Sequence, residues 1–113
     1  MPSLKSSIGN SQHISLDDVC FLISSISTED DLGQSIETEI LSLSYCSKLN
    51  ISRAEFSTAG QLGHKPQLLL VVDSDEYDEE KRVEYERTTY YVYKSFIRPD
   101  GYTELYCEVK AGG

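Results

Sequence analysis

The stretch with the most chemically active side chains is DSDEYDEEKRVEYE, residues 73–86, which contains eight carboxylates and two basic residues. Carboxylates at alternate positions bind calcium in EF-hand loops, which also need a glycine at the sixth position. Counted from Asp73, the sixth residue is Asp78, and no helical pattern flanks the run. The run fits a solvated turn better, with docking of a basic partner as a second role. The candidate docking residues are Asp75, Glu76, Tyr77 and Asp78.

Metal binding and nucleophilic catalysis need Cys, His and acidic side chains at characteristic spacings, and this sequence does not show such spacings. Cys20, Cys46 and Cys107 are distant from one another, and His13 and His64 do not stand at metal-ligand spacing. Free cysteines are among the residues most often buried, so we expect three buried, reduced thiols. A glycine-rich phosphate loop and a Gly-x-Ser-x-Gly motif are also missing. We therefore predict a protein that is not an enzyme and binds no metal or cofactor.

Composition narrows the class of protein further. The 113 residues are enough for one modest domain, and 39% of them are apolar. The formal net charge of -9 argues against binding nucleic acid, because phosphate recognition depends mainly on Lys and Arg. No run approaches the roughly 20 apolar residues of a membrane helix, and the N-terminus does not resemble a secretory signal. We expect a soluble protein that is made in the cytoplasm and does not contact a membrane.

Alternating bulky and polar residues indicate the elements that must position these side chains. The predicted strands are residues 19–27, 36–49, 67–73, 83–97 and 102–110. RPDG, residues 98–101, is a turn between the last two strands because Pro, Asp and Gly each favour turn geometry. We predict an all-β fold, a small antiparallel β-barrel or sandwich of five to six strands with one long inner loop at residues 53–66. We expect residues 1–15 to form a mobile N-terminal arm and residues 16–113 to form the single domain.

Tyrosines are concentrated in the second half of the chain. The tyrosines of this group are Tyr85, Tyr90, Tyr91, Tyr93, Tyr102 and Tyr106. We interpret them as the wall and rim of the barrel, with an interface role for some as the alternative, because tyrosine is enriched at interfaces.

Several motifs occur in an order that resembles a known family. SRAEFSTAGQLGHKP (52–66) is followed by an apolar run, by DEYDEEKRVEYE (75–86) and by YYVYKSFIRPDGYTELYCEVK (90–110). In this order they resemble the head-closure, or head-tail adaptor, proteins of long-tailed bacteriophages, over about residues 19–112. DDLGQSIETE (30–39) is similar to the first hairpin of that family. Arg87 departs from the family, which commonly has Gly in the turn before the Tyr-x-Val-Tyr strand, and Lys94-Ser95-Phe96 replaces Arg-Thr-Tyr.

The resemblance implies a structural protein of the virion neck that forms a dodecameric ring beneath the portal. Such a ring closes the channel after DNA packaging and offers the tail its docking surface. Its partners would be the portal-side adaptor and a tail-completion or tail-terminator protein, with packaged DNA only as channel contents. The long segment from Lys48 to Pro66 would be the extended loop of the family, which points into the ring and lines or plugs the channel. The loop and ring-interface candidates are Arg53, Glu55, Phe56, Ala59, Gly60, Gly63, Lys65 and Pro66.

Residue type suggests roles within this loop and for the acidic charge. Arg53 and Glu55 are candidates for an ion pair between neighbouring copies, and Phe56 for an apolar anchor. The carboxylates of the chain either repel DNA phosphates from the channel wall or simply keep the protein soluble. Two rival functions remain: a monomeric binding module that stacks carbohydrate or peptide on exposed tyrosines, and a DNA mimic that inhibits a nuclease.

Overall fold

The computed structural model describes residues 15–109, so the predicted N-terminal arm lies outside the described residues apart from Ser15. Within this range the chain forms six strands and one helix. They are β1 (Asp18–Glu29), β2 (Ser35–Leu49), α1 (Arg53–Gln61), β3 (Leu68–Asp73), β4 (Arg82–Tyr85), β5 (Thr88–Ile97) and β6 (Tyr102–Glu108). The strands close into an antiparallel barrel in the order β1-β2-β3-β6-β5-β4. The prediction of a small all-β barrel is confirmed.

The barrel is filled by side chains that point inward from alternate positions along its strands. The buried cluster consists of Cys20, Leu22, Cys46, Leu68, Leu70, Val72, Val83, Tyr85, Leu105 and Cys107. The interiors of small barrels are commonly filled in this way by their own side chains. All three cysteines are buried and free, which confirms the prediction of reduced thiols. β3 is apolar on both faces because its outward residue Val71 is also covered, by Tyr102, Leu16 and Leu49.

The predicted strand at residues 83–97 is instead a hairpin of two strands, β4 and β5. Tyr85 pairs with Thr88, which leaves Glu86 and Arg87 as a two-residue turn. Both turn residues have positive φ, 51° and 67°, as the primed turns of tight hairpins require. Neither is glycine, so the turn was hidden from the sequence analysis and costs about 1 kcal/mol or more of backbone strain at each residue. Arg87 therefore does not prevent this hairpin.

The predicted inner loop is also corrected, because its first nine residues form helix α1. Ser52 caps the start, and its Oγ accepts a hydrogen bond from the Glu55 amide at 3.1 Å. Gly63 ends the helix at φ 85°. Gly63 donates to the Gly60 carbonyl and His64 to the Ala59 carbonyl, the two bonds of a Schellman motif. The glycine that favoured a loop in the sequence is a helix stop signal.

β1 and β2 form a hairpin that extends beyond the barrel. Their ladder runs from Asp18↔Cys46 to Glu29↔Ser35, whereas β4 pairs with β1 only at residues 21–23 and β3 pairs with β2 only at residues 46–49. The outer part of this hairpin, residues 24–29 and 35–40, is called the ribbon below. It leaves one long edge of each strand without a neighbouring strand among the described residues.

Candidate functional site

The segment predicted as the channel loop folds as one unit, α1 and its link to β3, with two distinct sides. Ala59 is buried at 2% exposure and Pro66 is also buried, while Glu55 is half-buried. The remaining candidates are exposed: Arg53, Phe56, Gly60, Gly63 and Lys65. The structure therefore keeps the predicted residues close in the chain but divides them between the barrel side and the open side of α1.

Glu55 fixes the first half of this segment to the barrel wall. Its carboxylate accepts hydrogen bonds from the Tyr93 hydroxyl at 2.8 Å and from the Lys94 ammonium at 2.5 Å. These donors are consecutive in β5, where side chains normally alternate between faces. The register shifts between Val92 and Lys94, which indicates a β-bulge. Bulges redirect side chains in this way, so both donors reach the same carboxylate.

Glu108 fixes the second half, after the helix has ended. Its carboxylate contacts His64 Nδ1 at 2.7 Å and accepts a hydrogen bond from the Lys65 amide at 3.2 Å. The His64 ring also stacks on Tyr93, with 4.6 Å between ring centroids. Tyr93 therefore contacts both ends of the segment, through Glu55 and His64. We call the set formed by Glu55, His64, Tyr93, Lys94 and Glu108 the α1 network.

The electrostatics of the α1 network favour a structural role, in which charged hydrogen bonds hold α1 on the barrel, over a catalytic role. Burial pushes the pKa of Glu55 upward, but the hydrogen bonds from Lys94 and Tyr93 outweigh it and leave this pKa below its usual value. Burial, followed by the hydrogen bond to Glu55, raises the pKa of Tyr93. At neutral pH the carboxylate is charged and the phenol keeps its proton, which is the state that this hydrogen bond requires.

Sequence reasoning missed most of the α1 network. His64, Lys94 and Glu108 were not among the predicted site residues, and Tyr93 was named only as part of the barrel wall or an interface. No local signal marks the bulge that brings Tyr93 and Lys94 together. One signal in the sequence could have predicted the start of α1: the Ser52-x-x-Glu55 spacing is typical of a helix N-terminus. The carboxylate of Glu55 is engaged by Lys94 within its own chain, and its pairing with Arg53 of a neighbouring copy stays a prediction.

The open side of α1 presents apolar surface. Phe56 is 49% exposed and Leu62 is 73% exposed. Phe56 also borders an open depression together with Ile51 and Leu69. A large aromatic side chain half-exposed beside such a depression is suited to contact with another molecule.

The four acidic-turn candidates do not form one surface. Glu76 accepts a hydrogen bond from the buried hydroxyl of Ser44 at 2.8 Å, which joins the turn to β2. Tyr77 packs against the core, donates to the Glu80 carbonyl at 2.8 Å, and has its pKa raised to about 12 by burial. Asp75 and Asp78 are exposed. Glu76 and Tyr77 therefore anchor the turn, and Glu76, like Asp75 and Asp78, remains exposed.

Other kinds of site find no support within residues 15–109. This range contains no group of three His, Cys, Asp or Glu residues placed to hold a metal ion. None of its helices is long and apolar enough to cross a membrane. In comparisons with known proteins, no family model matches the chain, and neither a curated protein nor a solved structure matches it.

Proposed function

We propose that this protein is a head-closure protein of a long-tailed bacteriophage, located in the neck of the virion. The observation that supports the proposal is the order of the family-like motifs on one closed barrel: the Arg-x-Glu-Phe segment links β2 to β3, and the Tyr-x-Val-Tyr strand β5 pairs with the Glu-Leu-Tyr strand β6. In this function a homo-oligomeric ring closes the portal channel after packaging. Its neighbours are the portal-side adaptor and a tail-completion or tail-terminator protein.

The structure changes how the segment after β2 would act in such a ring. An extended loop would become ordered only on assembly, whereas α1 is capped at both ends and held by the α1 network. The channel-facing or neighbour-facing role therefore belongs to the open side of α1, where Arg53, Phe56 and Leu62 are exposed. A preformed surface loses less conformational entropy on binding than a mobile loop does.

The rival binding module receives less support from the tyrosines. A stacking platform needs accessible ring faces, but His64 stacks on Tyr93, Lys94 lies over the ring of Tyr106, and Tyr77 packs against the core. Tyr85 and Tyr102 are buried. The barrel interior is filled by side chains as well. A surface made of apolar side chains suits protein contacts better than carbohydrate stacking.

The test uses DNA-filled heads of the phage that encodes this chain, assembled without neck proteins. Purified protein is added with and without the adaptor, and nuclease-protected DNA is measured over time. We expect dose-dependent protection, and we expect Phe56→Ala to weaken it. Phe96→Ala is the matched control because Phe96 is exposed to a similar degree, 54% against 49%, on β5. Absence of protection at any dose would contradict the proposed function.

A further inference from the structure

The chain changes its charge character around α1. The protein has a formal net charge of -9 and 19 acidic residues, but residues 40–72 contain only one of these acids, Glu55. Its carboxylate is already engaged by Lys94 within the chain. The same stretch contains three cations that are all exposed: Lys48, Arg53 and Lys65. The segment around α1 is therefore cationic on a protein that is acidic elsewhere.

Two of these cations border the apolar surface on the open side of α1. Lys48 and Phe56 line the same open depression, which has a volume of about 360 Å³. Arg53 stands three residues before Phe56 in α1, a spacing that makes the two side chains neighbours on the helix surface. None of the residues that line the depression is acidic. We call Lys48, Ile51, Arg53, Phe56 and Leu69 the α1 face.

The two cations of the α1 face contribute no ion pair to the fold. Within residues 15–109, neither Lys48 nor Arg53 forms a salt bridge with a carboxylate. Other basic side chains do form such pairs: Arg82, Lys94 and Arg98. Arg53 is also the first residue of α1, where the positive end of the helix dipole disfavours a cation. The charge of Arg53 is therefore explained better by contact with another molecule than by the stability of the helix.

Charge and shape together indicate which molecule that is. Cations beside an apolar depression complement a segment that carries acidic side chains around an apolar one. The volume of the depression lies at the lower end of the roughly 300–1,000 Å³ typical of ligand pockets, so a side chain of a partner can enter. Nucleic acid fits less well, because phosphate binding depends on many Lys and Arg residues and the protein is acidic. A second copy fits less well because it carries the same net charge of -9.

We propose that the α1 face binds an acidic segment of another protein and takes an apolar side chain of that segment into the depression. The contact deepens the proposed function and rests on it for the source of the segment, which in the virion neck is the adaptor or the tail-completion protein. The α1 face is preformed, since α1 is capped at both ends and held by the α1 network. Binding therefore restricts mainly the partner segment.

Selection from a library of short random peptides, displayed on yeast, tests the proposal with the purified full-length protein as bait. A protein with a net charge of -9 attracts basic peptides non-specifically, so the background and the proposal predict opposite results. We expect the enriched sequences to be acidic and to contain at least one large apolar residue. Enrichment of basic or uncharged sequences would overturn the proposal, and so would the absence of any enrichment.

Charge reversal locates the binding site. Lys48→Glu combined with Arg53→Glu should weaken binding of a selected peptide at least about tenfold in fluorescence anisotropy, because each attraction becomes a repulsion. An acid in the first turn favours a helix, so α1 should stay folded. The matched control is Lys81→Glu combined with Arg87→Glu, which changes the net charge equally at two exposed residues outside the α1 face.

The control should bind the peptide almost as the original protein does. Equal weakening in the two variants would show that binding follows net charge alone, and unchanged binding in the first variant would also contradict the proposal. Circular dichroism shows whether the variants are folded. If the first is not, Lys48→Gln combined with Arg53→Gln removes the charges without adding acids and should weaken binding by a smaller factor.

Two further measurements address other occupants of the α1 face. Labelled single-stranded DNA that binds the original protein but not the charge-reversed variant would identify a nucleic-acid site and overturn the proposal. Self-association in light scattering that the same variant abolishes would identify a second copy as the occupant and overturn it as well. None of these experiments uses phage heads. Failed DNA protection with selection of acidic peptides would therefore remove only the neck function, and the reverse result would remove only the acidic partner.

Discussion

Replacing Glu55 by Ala should weaken the docking of α1 on the barrel while the barrel stays folded. The substitution removes the hydrogen bonds from Tyr93 at 2.8 Å and Lys94 at 2.5 Å. A hydrogen bond to a charged group contributes about 1.5–3 kcal/mol, but Lys94 is 45% exposed, so its share is at most about 1 kcal/mol. We expect the docked state of α1 to lose about 2 kcal/mol. The amides of α1 should then exchange with solvent about 30-fold faster, because local opening sets their exchange rate.

Hydrogen exchange measured by mass spectrometry across the whole chain tests this expectation. Glu104→Ala is the matched control, because Glu104 also accepts one hydrogen bond from a tyrosine hydroxyl and one from a cationic side chain. The donors are Tyr106 at 2.6 Å and Arg98 at 3.4 Å. It should lower global stability without a selective effect on α1. Equal exchange of α1 in the two variants would refute the assignment of Glu55 as the residue that holds the helix.

Three further predictions concern pH, the core and the thiols. Folding lowers the pKa of Glu55, so this carboxylate contributes its full stabilisation of the folded state above the ordinary pKa of about 4.3 and loses it as the pH falls through the lowered pKa. The amide NMR signals of α1 should therefore shift below about pH 4. Unchanged signals would contradict this expectation. Leu70→Ala should cost about 3 kcal/mol in urea unfolding because Leu70 is fully buried, and a loss below 1 kcal/mol would be inconsistent with a filled barrel. Burial raises the pKa of Cys107 to about 12. The pKa of Cys46 is also raised, mainly by its hydrogen bond with Cys20 and, as the second cause, by burial. A thiol reagent at pH 8 should therefore label these cysteines only after unfolding, and labelling of the folded protein would show that they are accessible.

The sequence predicted those parts of the fold in which side-chain alternation matches burial. β3 and β6 were found almost to the residue because Leu70, Val72, Leu105 and Cys107 point into the barrel. The fold class followed from the number of such segments and the turns between them. The ribbon was seen as part of two strands, but its extension beyond the barrel depends on where β3 and β4 stop pairing.

The errors arose where the local signal was weak or contradictory. Glu86 and Arg87 form a tight turn without glycine, so the alternation of β4 and β5 looked continuous. Gly60 and Gly63 favoured a loop, although Gly63 is the residue that ends a helix. The α1 network depends on a bulge at Tyr93, which is set by tertiary pairing and not by residue type.

Electron cryomicroscopy of neck-deficient, DNA-filled heads incubated with this protein tests the central claim most directly. A head-closure protein should add a ring of barrels at the portal vertex, with the open side of α1 facing the channel or a neighbouring copy. Adding the adaptor should increase the fraction of heads that carry the ring. A portal vertex without added density, at protein concentrations where the barrel is folded, would contradict the account.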